Sequence, residues 1–223
     1  MADRRSYGDP CGIARALDLL GERWGLLVVR ELMLGPKRFT DLRTGLPGLS
    51  PDVLAQRLRD LERSGIVRRL VLPSPARARV YELSDWGREL EPVILALGRW
   101  GSRAPFPRAK AQLSVDAFVI ALKTLFDPQS AAGLTAVYEL RLGDQTFYAR
   151  VAGRRLEVRR ASGDRLPDAI IESDTRSLSA VLWHGRRLNE ARSAGDVRIE
   201  GSRSLVDRFS KLFPPARPAI PAG

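Results

Sequence analysis

In the stretch LSPDVLAQRLRDLERSGIVRRL, Leu49 to Leu70, the side chains suited to chemistry are Gln56, Arg57, Arg59 and Arg63. A guanidinium offers only donors, and a carboxamide offers donors and an acceptor. Such groups make charge-assisted hydrogen bonds to a polyanion and paired hydrogen bonds to the acceptor edges of bases. Leu54, Leu58 and Leu61 keep helical spacing through the same stretch, so the four polar residues lie mostly on the opposite side of an amphipathic helix. The competing reading is a plain solvated helix, with Arg59–Glu62 and Asp60–Arg63 as intrahelical ion pairs.

Other chemistry is thin. His184 is the single histidine, which excludes a His-based metal site and a Ser-His-Asp triad. No Walker A lysine loop occurs, and no GxGxxG follows a strand pattern. Asp168, Glu172 and Asp174 follow one strand edge. Paired acids do acid–base work, but solvated edge residues are the simpler reading. The sequence therefore implies no enzyme, no cofactor and no metal. Cys11, between Pro10 and Gly12, is either a redox-sensing thiol or a small apolar plug. As the single cysteine it forms no internal disulfide, so sensing requires a bond to another molecule's thiol.

Composition bounds the rest. With 223 residues, 44% hydrophobic and 28% charged, the chain suits one large domain or two small ones. No apolar run reaches the roughly 18 residues that span a bilayer, and MADRRSYGDP lacks the apolar stretch of a secretory signal. We expect a cytoplasmic protein without membrane insertion. The net charge of +11 favours polyanions. The excess is spread evenly, however: 18 Lys and Arg against 13 Asp and Glu through Ala104, then 19 against 13. Bulk charge alone picks out no nucleic-acid domain.

The elements that must position Gln56 and the arginines follow from punctuation and periodicity. IARALDLL begins one helix; RWGLLVVRELML continues the pattern until Gly35-Pro36 stops it. RFTDLRTGL is a short helix and PGLS a turn. Ser50 caps the next helix, Pro51 presets its first φ, and Gly65 ends it. IVRRLVL and ARVYELS flank PSPAR as a hairpin, and a last helix runs from Ser84 or Asp85 with Leu90, Val93, Ile94 and Leu97 along one side. Helix, tight turn, capped helix and basic hairpin make a winged helix–turn–helix. Its second helix suits a major groove, Lys37 and Arg38 stand where a phosphate could sit, and Arg77 and Arg79 reach the backbone or minor groove.

RWGSRAPFPRAKAQ is a seam. Beyond it VDAFVIALKTLF reads as a helix. LTAVYELRLG, QTFYARVAG and RRLEVRR alternate as an antiparallel meander, and DAIIESD and DVRIEGS add strands. SLSAVLWHG and SLVDRFSKLF close the domain as helices. This is an α+β pattern with helices on one face of a sheet.

The first half resembles HxlR-type winged-helix transcriptional regulators. The resemblance runs from Cys11 to Gly101 and rests on Cys11, GERW, RELMLGPKRFTDLR, LPGLSPDVLAQRLRDLERSGIVRR and YELSDWGREL. It implies a homodimer built on the first helix and the helix from Asp85 to Trp100, with double-stranded DNA as partner. It also marks Cys11 as a candidate sensor. With it, the expected DNA-contacting set is Lys37, Arg38, Thr40, Ser50, Gln56, Arg57, Arg59, Arg63, Arg77 and Arg79. The second half, from Leu113 to Phe213, resembles sterol carrier protein-like domains, with DVRIEGS its best piece. That resemblance implies an apolar cavity for a hydrophobic small molecule or lipid, lined by Phe147, Leu182, Trp183, Phe209 and Phe213. Ordinary core packing is the alternative for those side chains.

The expected architecture is α+β. A winged helix–turn–helix domain occupies 10–103, a linker 104–111, a sterol carrier protein-like domain with an antiparallel sheet 112–213, and a disordered tail 214–223. The expected function is a dimeric regulator reading an inverted-repeat operator with helix 50–64 and wing 73–79. The rivals are a winged-helix protein-interaction module and a lipid carrier without DNA binding.

Overall fold

The structure, a computed structural model, describes residues 6–73, 77–104, 113–160 and 166–219. The chain divides into two compact units, Met1–Ile94 and Leu95–Gly223.

The first unit contains α1 (Gly12–Leu20), α2 (Gly25–Leu32), α3 (Phe39–Gly45), α4 (Pro51–Arg63), β1 (Val67–Val71), β2 (Arg79–Leu83), α5 (Asp85–Arg88) and the start of α6 (Glu91–Gly101). Helix α4 forms as its sequence dictates. Ser50 Oγ accepts the Val53 N–H at 3.4 Å, Pro51 opens the helix, and Gly65 leaves it at a φ of +73°. Leu54, Leu58 and Leu61 are buried against Val28, Val29 and Leu32 of α2, Leu42 of α3, and Ile66 and Leu83 of the hairpin. Burying three leucines stabilises the unit by roughly 1.5–3 kcal/mol per side chain. Strands β1 and β2 pair antiparallel from Val67↔Leu83 to Val71↔Arg79. Lys37 extends this ladder, exchanging backbone hydrogen bonds of 2.9 and 2.8 Å with Tyr81. The wing-tip residues 74–76, and 105–111 of the expected linker, lie outside the described residues.

Two boundaries differ from expectation. Helix α2 begins at Gly25 rather than Arg23, because Trp24 adopts a left-handed φ of +80°. The expected single helix from Asp85 to Trp100 is two helices. Pro92 has no N–H for the Arg88 carbonyl, so the chain reforms a helix only from Glu91. Within α5, a Cβ on Gly87 would lie 2.2 Å from the Ile66 carbonyl oxygen, so only glycine fits there.

The second unit contains α7 (Val115–Leu125), β3 (Ala136–Leu142), β4 (Gln145–Ala152), β5 (Arg155–Arg160), β6 (Ala169–Ser173), α8 (Thr175–Trp183), α9 (Leu188–Ser193), β7 (Val197–Gly201) and α10 (Arg203–Lys211). The sheet order is β5-β4-β3-β6-β7. The meander β3-β4-β5 is antiparallel as expected, and its Leu134, Ala136, Tyr138, Leu140, Leu142, Phe147, Ala149, Val151 and Val158 are buried. The expectation of a wholly antiparallel sheet is corrected: β6 runs parallel to β3. Asp168 explains the register. Its N–H donates to the Val137 carbonyl at 2.8 Å, and its carboxylate accepts the Val137 N–H at 2.8 Å, so β6 starts where β3 starts.

The buried sheet face meets α10: the Tyr138 hydroxyl donates to the Leu205 carbonyl at 3.1 Å, and its ring lies 4.8 Å from Phe209. Helix α9 was not legible in the sequence, since only Ala191 is buried along it. The tail is described through Ala219, whose N–H donates to the Arg103 carbonyl at 2.9 Å.

Candidate nucleic-acid interface

Helix α4 turns its leucines inward and leaves Asp52, Val53, Arg59 and Arg63 exposed, with Gln56, Arg57, Asp60 and Glu62 half-buried. Gln56, Arg59, Glu62 and Arg63 line a shallow surface groove. These side chains are linked. Arg59 donates to Gln56 Oε1 at 2.6 Å, and Gln56 Nε2 donates to Asp60 Oδ1 at 2.9 Å. Arg63 reaches the same Asp60 oxygen.

Arg57 differs from its neighbours. Its side chain is 16% exposed and held between Glu22 at 3.3 Å and Asp60 at 3.2 Å, and its buried Nε has no hydrogen-bond partner among the described residues. It ties α4 to the α1–α2 junction more than it faces solvent.

Lys37 was expected beside a phosphate. Its ammonium sits 2.7 Å from Glu31 Oε2, and Glu31 is fully buried. Arg38 and Thr40 are exposed at the start of α3. Arg38 N–H donates to Asp41 Oδ2 at 3.0 Å, as an N-terminal cap should. Ser50 is exposed while its hydroxyl caps α4. Arg77 and Arg79 are exposed on the described part of the wing.

Sequence reasoning missed Glu31, Glu22 and the Glu62–Arg69 pair at 2.8 Å, which joins α4 to β1 while the Arg69 guanidinium lies over Tyr81. The signal for Glu31 was present: a lone acid in LLVVRELML, on the side shared by Val28 and Leu32.

Cys11 is exposed at the head of α1, its N–H donating to Asp9 Oδ1 at 2.8 Å. In the second unit, Phe147, Phe209 and Phe213 are buried, Leu182 is nearly so and Trp183 is half-buried. Phe209 and Phe213 stack edge to face at 5.0 Å, Trp183 lies 5.4 Å from Phe118, and the Arg160 guanidinium covers Phe147 at 4.8 Å. These rings pack on neighbours.

The acids spread along the strand edge do structural work. Asp168 sets strand register, and Glu172 pairs with Arg198 at 3.4 Å. Asp174 caps α8. Partial burial opposes its ionisation, yet the Ser177 N–H and hydroxyl hold its carboxyl below the usual range.

A helical scaffold that presents an arginine-bearing helix beside a basic hairpin defines a winged helix–turn–helix DNA-binding regulator. The HxlR-like helix-turn-helix family model matches residues 19–107. The chain is 42% identical over 95 residues to the uncharacterized HTH-type transcriptional regulator sll1512 of Synechocystis sp., covering 43% of this chain and 70% of that one. It is 38% identical over 88 residues to the uncharacterized HTH-type transcriptional regulator YvaP of Bacillus subtilis, covering 40% and 82%. It is 39% identical over 88 residues to the HTH-type transcriptional regulator YodB of Bacillus subtilis, covering 40% and 79%. The chain belongs to the HxlR-like helix-turn-helix family.

Proposed function

We propose that residues 10–103 pair as a homodimer and read an inverted-repeat operator, with helix 50–64 in the major groove and wing 73–79 against the adjacent backbone. One observation carries this reading: Arg59 and Arg63 stand exposed on α4 while the leucines of the same helix are buried. Arg38, Arg77 and Arg79 serve as phosphate contacts. Lys37 acts through the scaffold, since Glu31 holds its ammonium. The dimer reading is supported by uncovered apolar rows. Ile13 and Leu17 lie one turn apart on α1, and Val93, Leu97 and Trp100 lie on one side of α6.

Selection from random-sequence duplexes, followed by titration at several salt concentrations, tests the function. An enriched palindromic sequence whose affinity falls steeply with salt is expected. No enrichment overturns the reading and leaves the protein-interaction module or lipid carrier.

For residues 112–213 we propose a module for a hydrophobic ligand or lipid that biases DNA affinity through its preference for one dimer conformation. The support is the Trp183 indole, which lies beside Phe118 and whose buried Nε1 has no hydrogen-bond partner among the described residues. Native mass spectrometry of the purified protein tests it by the mass of a retained ligand. Cys11 is the candidate sensing thiol: its exposure leaves it open to oxidants, and Cys11→Ser is expected to abolish peroxide-dependent loss of operator binding. The protein in this reading is a cytoplasmic regulator and not an enzyme; no described helix is long and apolar enough to cross a membrane.

A further inference from the structure

Asp60 is the hub of the presented face of α4. Its Oδ1 accepts from Gln56 Nε2 at 2.9 Å and from Arg63, and its Oδ2 lies 3.2 Å from Arg57 Nη2. The spacing is what a helix requires, since the residues three and four positions away lie over the same patch of surface. Burial of Leu54, Leu58 and Leu61 already anchors the helix, so Asp60 is not needed to hold it down. The carboxylate instead fixes what the helix presents. Being acceptor-only, it takes the Gln56 amide by its NH2 group, which turns Gln56 Oε1 toward the Arg59 guanidinium at 2.6 Å. One acid thus sets the amide's orientation and, through it, the place of Arg59.

We propose that Asp60 is a specificity-determining positioning residue. It holds Gln56 and Arg63, and through Gln56 also Arg59, in a fixed array and keeps that array from adhering to arbitrary phosphates. The inference rests on the DNA-reading function proposed above. A carboxylate among arginines repels phosphate and cancels part of the sequence-independent attraction. Base edges presenting acceptors at the right positions can still draw the guanidinium donors away from it. Asp60 therefore lowers affinity for all DNA and lowers it least for the correct sequence, which is how discrimination is gained.

The test compares wild type, Asp60→Asn and Asp60→Glu in the full-length chain. Each is titrated against the sequence that wild type enriches and against random-sequence duplex of the same length, at several salt concentrations, with thermal melts alongside. For Asp60→Asn we expect tighter binding to random duplex and a salt dependence steeper by about one contact per subunit. The ratio of specific to random affinity should fall about tenfold, the worth of one well-placed base contact. Asp60→Glu, which keeps the charge, should restore most of that ratio.

An Asp60→Asn variant that keeps the wild-type ratio overturns the inference. So does equal loss of both affinities, the signature of a residue needed only for the fold. If wild type enriches no sequence at all, the DNA-reading function fails, and this inference with it; if wild type enriches a sequence and the Asn variant discriminates equally well, only the inference fails.

Discussion

Lys37 Nζ lies 2.7 Å from Glu31 Oε2, and this ion pair ties the end of α2 to the base of the wing. Glu31 is fully buried and also takes Arg30 Nη2 at 2.9 Å, while the Lys37 backbone exchanges two hydrogen bonds with Tyr81 on β2. Removing one member of a buried pair leaves the other charge in a poor medium, at a cost of about 3–5 kcal/mol. Glu31→Ala is expected to lower unfolding free energy by that order in urea titration. A change below ~1 kcal/mol would show that the pair is idle.

The same carboxylate explains a glycine. A Cβ on Gly45 would lie 2.3 Å from Glu31 Oε2, so Gly45→Ala must displace the ion pair. Gly45→Ala should destabilise by about 1–3 kcal/mol through overpacking. In the Glu31→Ala background, where the obstruction is gone, its additional cost should nearly vanish. A double-mutant cycle measures this coupling.

Arg57 and Arg59 should separate in function although they are near neighbours on α4. Arg57 is clasped by Glu22 and Asp60, while Arg59 is exposed beside Gln56. Arg59→Ala is expected to cost ~1–3 kcal/mol of binding to the enriched operator, with little effect on random duplex. Arg57→Ala should instead lower thermal stability and weaken both DNAs alike. Fluorescence anisotropy with a parallel melt distinguishes them, and the reverse assignment would follow if Arg57→Ala alone lost discrimination.

The uncovered row on α1 predicts the consequence of a charge there. Ile13 is 73% exposed, so Ile13→Asp should leave the monomer's fold intact. It should nevertheless shift the sedimentation equilibrium toward monomer, since an unpaired charge in an apolar interface is costly. An unshifted equilibrium would remove α1 from the interface.

Acid should act on the second unit through Glu139. The Tyr148 hydroxyl, donating at 2.7 Å, outweighs the burial that opposes ionisation, and Arg141 at 2.7 Å adds to it, so the carboxyl is held below its usual range. A depressed folded-state pKa contributes stability above the unfolded value of about 4.3, lost as pH falls through the folded value. Tyr148→Phe should therefore be less stable than wild type at neutral pH, and the gap should narrow on acidification through that window. Denaturant midpoints across pH report it; a gap that widens on acidification would reverse the assignment.

Much of the first unit was legible from local rules. The Ser50-Pro51 start, the Gly65 stop and the leucine spacing of α4 depend on backbone φ, capping and periodicity, all of which reside in neighbouring residues. So did the alternation that buries Tyr138, Leu140, Phe147 and Ala149 on one side of the meander. The direction of β6 was not legible. It depends on Asp168 reaching Val137, a partner 31 residues away, and no local pattern encodes that pairing. The break before α6 lay in Pro92, where one missing N–H outweighed a continuous apolar pattern.

By itself, then, the sequence determined which helix carries the arginines, because amphipathic spacing sorts a helix into buried and exposed sides. Which of those arginines stand free was decided only by the tertiary structure. Asp60 and Arg63 pair three residues apart on α4, as their spacing predicts. Glu22, however, reaches Arg57 from the α1–α2 junction, and Glu31 of α2 reaches Lys37 ahead of α3; only the fold brings these partners within ion-pairing distance. Coulombic attraction depends on separation in space, which periodicity along a single helix cannot report.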